Sequence, residues 1–197
     1  MTGTMVAAQF SSTPFQERES TMNTFRKMSI AAGLAVLLAV PAFARADATV
    51  KEAKDAVTTM KKTDPSLKKF FDHSAGYAVF PSVGKGGLVV GGAGGSGIVF
   101  EHGKAVGTTT LSQVTVGAQV GGQAYYEIIF FETAEALAAF KKGEWTMAAQ
   151  VSAVMLKSGA SADAKYKEGV AVFTLSKGGA MAEASVGGQK FSYKPMS

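Results

Sequence analysis

The chain has 197 residues, 20 Lys or Arg against 15 Asp or Glu, and no cysteine. Without cysteine there are no disulfides, no thiolate metal sites and no acylated lipoprotein terminus, so a folded domain here is held by packing alone. The only arginines are Arg18, Arg26 and Arg45; a positive charge carried by lysine beyond them argues against bidentate reading of phosphates or bases, and no nucleic-acid partner is expected.

Residues 1–46 read as a leader to be removed. Arg26 and Lys27 precede an apolar run over 30–40, and Pro41 breaks it. Ala42-Phe43-Ala44 and Ala44-Arg45-Ala46 both fit the small-x-small rule, which predicts a secretory signal peptide cleaved after Ala44 or after Ala46. Met22 or Met28 is the expected start, making residues 1–21 an upstream extension. Four basic and two acidic residues fall in this stretch, which leaves one domain, residues 47–197, with 16 basic and 13 acidic side chains. The expected location is the periplasm or the exterior, and the lack of a lipobox cysteine excludes a lipoprotein.

Residues 47–62 predict a helix, because Val50, Ala53, Val57 and Met60 recur at spacings of three and four. Lys51, Glu52, Lys54 and Asp55 fill the opposite side. Thr63-Asp64-Pro65 stops the helix, and Pro65 suits the first turn of a second one over 66–72. Lys61, Lys62, Lys68 and Lys69 bracket the junction.

From Gly76 the texture becomes strand-like, and one signature occurs twice. Gly76-Tyr77-Ala78-Val79-Phe80 with Lys85-Gly86-Gly87 returns as Gly169-Val170-Ala171-Val172-Phe173 with Lys177-Gly178-Gly179. This predicts one sheet containing two related hairpins. Short strands are expected over 76–81, 86–92, 97–101, 104–111, 114–120 and 123–131, with a tight turn at Glu101-His102-Gly103-Lys104. Thr133 caps a helix whose inner face is Ala136, Leu137 and Phe140, and Gly143 ends it. Residues 145–156 read as strand, 158–165 as loop, and 189–193 as the last strand. Eight glycines in residues 84–97 point either to close approach of another backbone or to sharp coiling, and the repeated glycine pairs favour coiling. The predicted class is α+β: a strongly coiled antiparallel sheet or partial β-barrel with two N-terminal helices and one middle helix.

Signals of catalysis fail one after another. Residues 92–97 spell GxGxxG, but a strand follows where a dinucleotide site needs a helix. His73 and His102 are the only histidines, and they read as surface residues near turns. There is no GxSxG elbow. Glu127, Glu132 and Glu135 could in principle pair for sugar hydrolysis, though two of them sit at a helix start, where acids complement the dipole. No catalytic residue, metal or cofactor is expected. Two binding features remain. The first helix and its lysines could lie on an anionic membrane, with Val50, Lys51, Lys54, Val57, Met60, Lys61, Lys62, Lys68 and Lys69 as candidate lipid-binding residues; the alternative is that its apolar stripe packs on the sheet. A cleft lined by the many aromatics between helices and sheet could hold an acyl chain.

The stretch from Gly76-Tyr77-Ala78-Val79-Phe80-Pro81-Ser82 through Lys85-Gly86-Gly87 resembles the SYLF lipid-binding family, also called the Ysc84 actin-binding family. The resemblance continues through Gly103-Lys104, residues 116–123, Ile129-Phe130-Phe131, Trp145 and Gly178-Gly179, and covers about residues 48–194. It implies lipid binding, with phosphoinositides (phosphatidylinositol derivatives) as the eukaryotic ligands, through an amphipathic N-terminal helix and basic residues. Here that carries over to residues 50–60 and loosely to Lys51, Lys54, Lys61 and Lys62. A leader makes actin an unexpected partner and anionic phospholipid the expected one. The other reading is an envelope interaction module that pairs with a protein through its Gly-rich strands or a sheet edge.

Overall fold

The computed structural model describes residues 47–87, 90–116, 122–143, 145–178 and 186–196. The predicted leader, residues 117–120 of the strand expected over 114–120, and Gly179 of the second repeat copy lie outside the described residues.

Helix α1 spans Val50–Thr63. It starts three residues later than the apolar spacing suggested because Thr49 and Glu52 form a capping box: Glu52 N donates to Thr49 Oγ1 and Thr49 N donates to Glu52 Oε2. Lys61 and Lys62 lie in its last turn, where cations complement the helix dipole. Asp64 ends it, and its side chain then caps the 3-10 turn Pro65–Leu67. Helix α2 follows at once, Lys68–His73.

The strands are β1 Gly76–Gly87, β2 Val90–Glu101, β3 Lys104–Val116, β4 Gly122–Phe131, β5 Trp145–Thr146, β6 Val154–Met155, β7 Val170–Ser176 and β8 Lys190–Pro195, with helix α3 at Ala134–Lys141. They form one curled half-barrel of order β5-β8-β3-β2-β1-β4-β7-β6. Every pairing is antiparallel except β6 with β7, which is parallel. Glu101 pairs with Lys104 across His102 and Gly103, both at positive φ (49° and 76°), so the expected tight turn is present.

Several expected boundaries are corrected. Expected breaks are absent: β1 runs through Gly84 and β2 through Gly94 and Gly95, 12 residues each, and β3 runs through Ser112 and Gln113 for 13. Ladder hydrogen bonds need only backbone, so glycine does not interrupt them. Residues 145–156, read as one strand, hold only the two-residue β5 and β6, with a turn at Ala149-Gln150 between. Among the described residues the second repeat copy forms no hairpin. Its strand β7 pairs with β4 and β6, whereas β8 pairs with β3 and β5.

Alternation along the strands separates two apolar clusters. On one face Ala78, Phe80, Ile129, Phe131 and Phe191 pack with Leu137 and Phe140 of α3, and with Met147 and Val151. On the other, Val79, Ile98, Phe100, Ile128, Phe130 and Phe173 meet Ala53, Ala56 and Met60 of α1, and Phe70 of α2. The two physical reasons for dense glycine act together. A bulge interrupts β1 between Val79 and Ser82. A Cβ on Gly97 would lie 2.5 Å from Val79 O, and one on Gly95 would lie 2.7 Å from Ser82 O. The bulge coils the sheet and presses these carbonyls onto β2, where only glycine fits.

Candidate functional site

The predicted lipid-binding residues fall into three groups. Met60 is fully buried, and Val50 and Val57 are half-buried against the same cluster. The stripe of α1 is therefore docked on the sheet. Its centre is Ala53, Ala56 and Met60, because two alanines let the helix axis approach closely. Lys51, Lys68 and Lys69 are exposed or half-exposed but engaged: Lys51 Nζ bonds Asp55 at 2.8 Å, Lys68 bonds Asp72, and Lys69 donates to the carbonyls of Ala162 and Ala164. The Asp55 bond holds the Lys51 ammonium above its ordinary pKa. Lys54, Lys61 and Lys62 are exposed and make no ion pair among the described residues. Lys61 Nζ does sit 3.8 Å from the Phe71 ring centroid, tying the end of α1 to α2.

Sequence reading missed the device that fixes this layer. Asp64 is fully buried and accepts from Ser66 N at 3.1 Å, Gly159 N at 3.2 Å, Ser161 N at 2.7 Å and Ser66 Oγ. It thus bolts the α1–α2 corner to the 157–164 loop. Burial alone would raise its pKa, but the hydrogen bonds from Ser66 and Ser161 outweigh it and bring the carboxyl down to about 2. Asp64 beside Pro65 did mark a helix stop, but its distant donors are joined only by the fold.

The aromatic layer under the helices is full. Phe70, Phe71, Tyr77, Phe100, Phe130 and Phe173 pack ring on ring at centroid distances of 4.8–5.9 Å. These rings occupy the layer between helices and sheet in which a cleft could have held an acyl chain.

Other candidates resolve plainly. The GxGxxG stretch lies wholly inside β2, so no helix N-terminus meets it. His73 Nδ1 bonds the Lys69 carbonyl, and His102 occupies the β2–β3 turn. Among the described residues no group of three or more His, Asp or Glu converges to hold a metal. The three glutamates do not gather: Glu127 is buried in β4, whereas Glu132 and Glu135 are exposed. No described helix is long and apolar enough to cross a membrane.

Residues 112–195, from the end of β3 through β8, match the model of the family described as "Ysc84: Las17-binding protein actin regulator". A protein of Aeromonas veronii, Beta cell expansion factor A, is 32% identical over 153 residues, covering 73% of this chain and 58% of its own length. The chain belongs to the Ysc84, or SYLF, family. The SYLF family is one of lipid- and actin-binding modules rather than of enzymes.

Proposed function

We propose that this SYLF domain is a non-enzymatic module that contacts anionic phospholipid through the lysines on the solvent side of α1, above all Lys54, Lys61 and Lys62. The observation that carries the reading is their placement: residues at i, i+7 and i+8 of one helix share a face, and here that face is exposed and free of ion pairs among the described residues. Each lysine near an anionic surface contributes about 1 kcal/mol, which gives reversible, salt-sensitive contact. Lys51, Lys68 and Lys69 join by exchanging the bonds they now make, whereas Val50, Val57 and Met60 join only if α1 leaves the sheet. A cleavable leader would place this contact on a periplasmic or external membrane surface, away from actin, with any anionic headgroup as ligand and no cofactor.

The envelope-partner reading has less behind it. The Gly-rich strands β1 and β2 are central and paired on both sides, so they offer no edge to a partner strand. The strands at the ends of the sheet order are two residues long.

The test is co-sedimentation of the chain and its K54E/K61E/K62E variant with vesicles of phosphatidylcholine alone or mixed with phosphatidylglycerol, at low and high salt. The wild type should pellet with the anionic vesicles at low salt and be released at high salt, and the variant should bind at least about tenfold more weakly. Equal binding by the two proteins would overturn the reading.

A further inference from the structure

Two carboxyl groups, Asp64 and Glu127, are fully buried among the described residues, and their surroundings are opposite. Asp64 accepts from four donors. Glu127 accepts one hydrogen bond, from Gln189 Nε2 to Oε2 at 3.0 Å, and its Oε1 has no partner. Thr174, directly across from Glu127 on β7, has an unpartnered Oγ1, and Gln189 has an unpartnered Oε1. Neither group donates to Oε1, so an ionised Glu127 would hold buried charge on an oxygen without a donor, and a proton removes that charge.

Gln189 is also the node that holds the neighbouring segment over this face of the sheet. Its carbonyl accepts from Met147 N at 2.8 Å, Gly188 N donates to Met147 O at 3.0 Å, and Gln113 Nε2 of β3 donates to Gly187 O at 3.1 Å. Met147, Val151 and Val186 are buried there against Phe80, Val83 and Tyr125. We propose that Glu127 is a proton switch for this cover: neutral, it lets the 186–189 turn and the 147–151 segment close over it, and ionised, it forces them open to bring water to the buried charge.

Apart from the Gln189 bond, the described groups around Glu127 give an ionised form no compensation. On its own strand stands Tyr125, whose phenol is raised by burial and by Glu127 itself. Phe80 pairs with it from β1 and Thr174 from β7, and Gln189 reaches it from the turn. Among the described residues no cation acts on Glu127: Lys177 Nζ is turned to Pro81 O and the Tyr126 ring, and Lys190 is exposed. Burial raises the Glu127 carboxyl to about 8, with the Gln189 bond opposing. The folded chain therefore keeps a proton that the unfolded chain sheds near its ordinary 4.5. Stability from this group is complete below that value, falls as pH rises, and is gone above about 8.

The experiment compares the whole chain with its E127Q variant from pH 6 to pH 9, by thermal unfolding and by hydrogen exchange at Met147 and Gly188. Exchange rates are corrected for intrinsic base catalysis. The wild type should lose thermal stability across that range, and the two amides should exchange at least about tenfold faster at the upper end. The variant, permanently neutral, should be flat in both. Parallel profiles for the two proteins, or wild-type amides indifferent to pH, would overturn the switch. Should the variant not fold, a carbon-13 titration of the wild-type Glu127 carboxyl decides: a midpoint above 7 supports the proposal and one below 5.5 sinks it.

Discussion

The two copies of the GxAVF signature flank the same strand, yet they do opposite things. Strand β1 lies on one side of β4 and β7 on the other. In the first copy Tyr77 pairs with Phe130, whereas in the second the matching Val170 pairs with Phe131. That single-residue offset reverses every side chain. Ala78 and Phe80 face α3 while Ala171 and Phe173 face α1 and α2, and Val79 and Val172 are exchanged likewise. A strand has period two, so equal sequence does not fix the face; the register does. Their continuations differ too. The first copy turns back into β2 as a hairpin, whereas the next described strand after the second is β8, five strands away past β4, β1, β2 and β3. Similar words here make two strands with similar cores and different neighbours.

The largest effects should come from the repeated phenylalanine. Phe80 and Phe173 are both fully buried, and Phe80→Ala and Phe173→Ala should each cost about 3–5 kcal/mol in urea unfolding. What separates them is location. Phe173 meets Phe70 edge to face at 4.8 Å, so its loss should speed hydrogen exchange in α2, while Phe80 touches Phe191 and its loss should speed exchange in β8. The same exchange pattern in both variants would break the two-face assignment.

Glycine gives the next contrast. Gly97, against the first copy, has no room for a Cβ, so Gly97→Ala should destabilise by about 1–3 kcal/mol. Gly178, in the second copy, has open space around it, and Gly178→Ala should change stability by less than about 0.5 kcal/mol. Equal melting shifts for the two variants would mean that the bulge does not press β1 onto β2.

The smallest contrast concerns the matched lysines. Lys177 reaches Pro81 O at 3.1 Å and lies over the Tyr126 ring, linking the second copy to the first across β4. Lys177→Ala should cost about 1 kcal/mol. Lys85→Ala should be near neutral in the same denaturation assay, having no such contact among the described residues.

Much of this was readable before any coordinates. The α1 stripe, the stop at Asp64 and Pro65, the Thr133 cap and the turn at Gly103 are local: each depends on residues within one helical turn or one hairpin. The lysine surface was legible only as a list. That Lys51 and Lys68 are paired follows from i,i+4 acids visible in the sequence, but the bonds of Lys69 join residues 93 and 95 apart. The length of the sheet strands was misread because glycine suggested breaks where the backbone ladder continues.

By itself the sequence determined where the helices lie and which segments enter the long strands, the apolar pattern that gives each a buried side, and a family signature spread over several motifs. These depend on chain-neighbour sterics, caps and periodicity, which act within a few residues. Only the tertiary structure decided the strand order, the opposed faces of the two copies, the four-donor seat of Asp64 and the donor-poor seat of Glu127. Each of those is a contact between residues far apart in the chain, and it exists only once one register has been selected by burying both sides of the sheet at once.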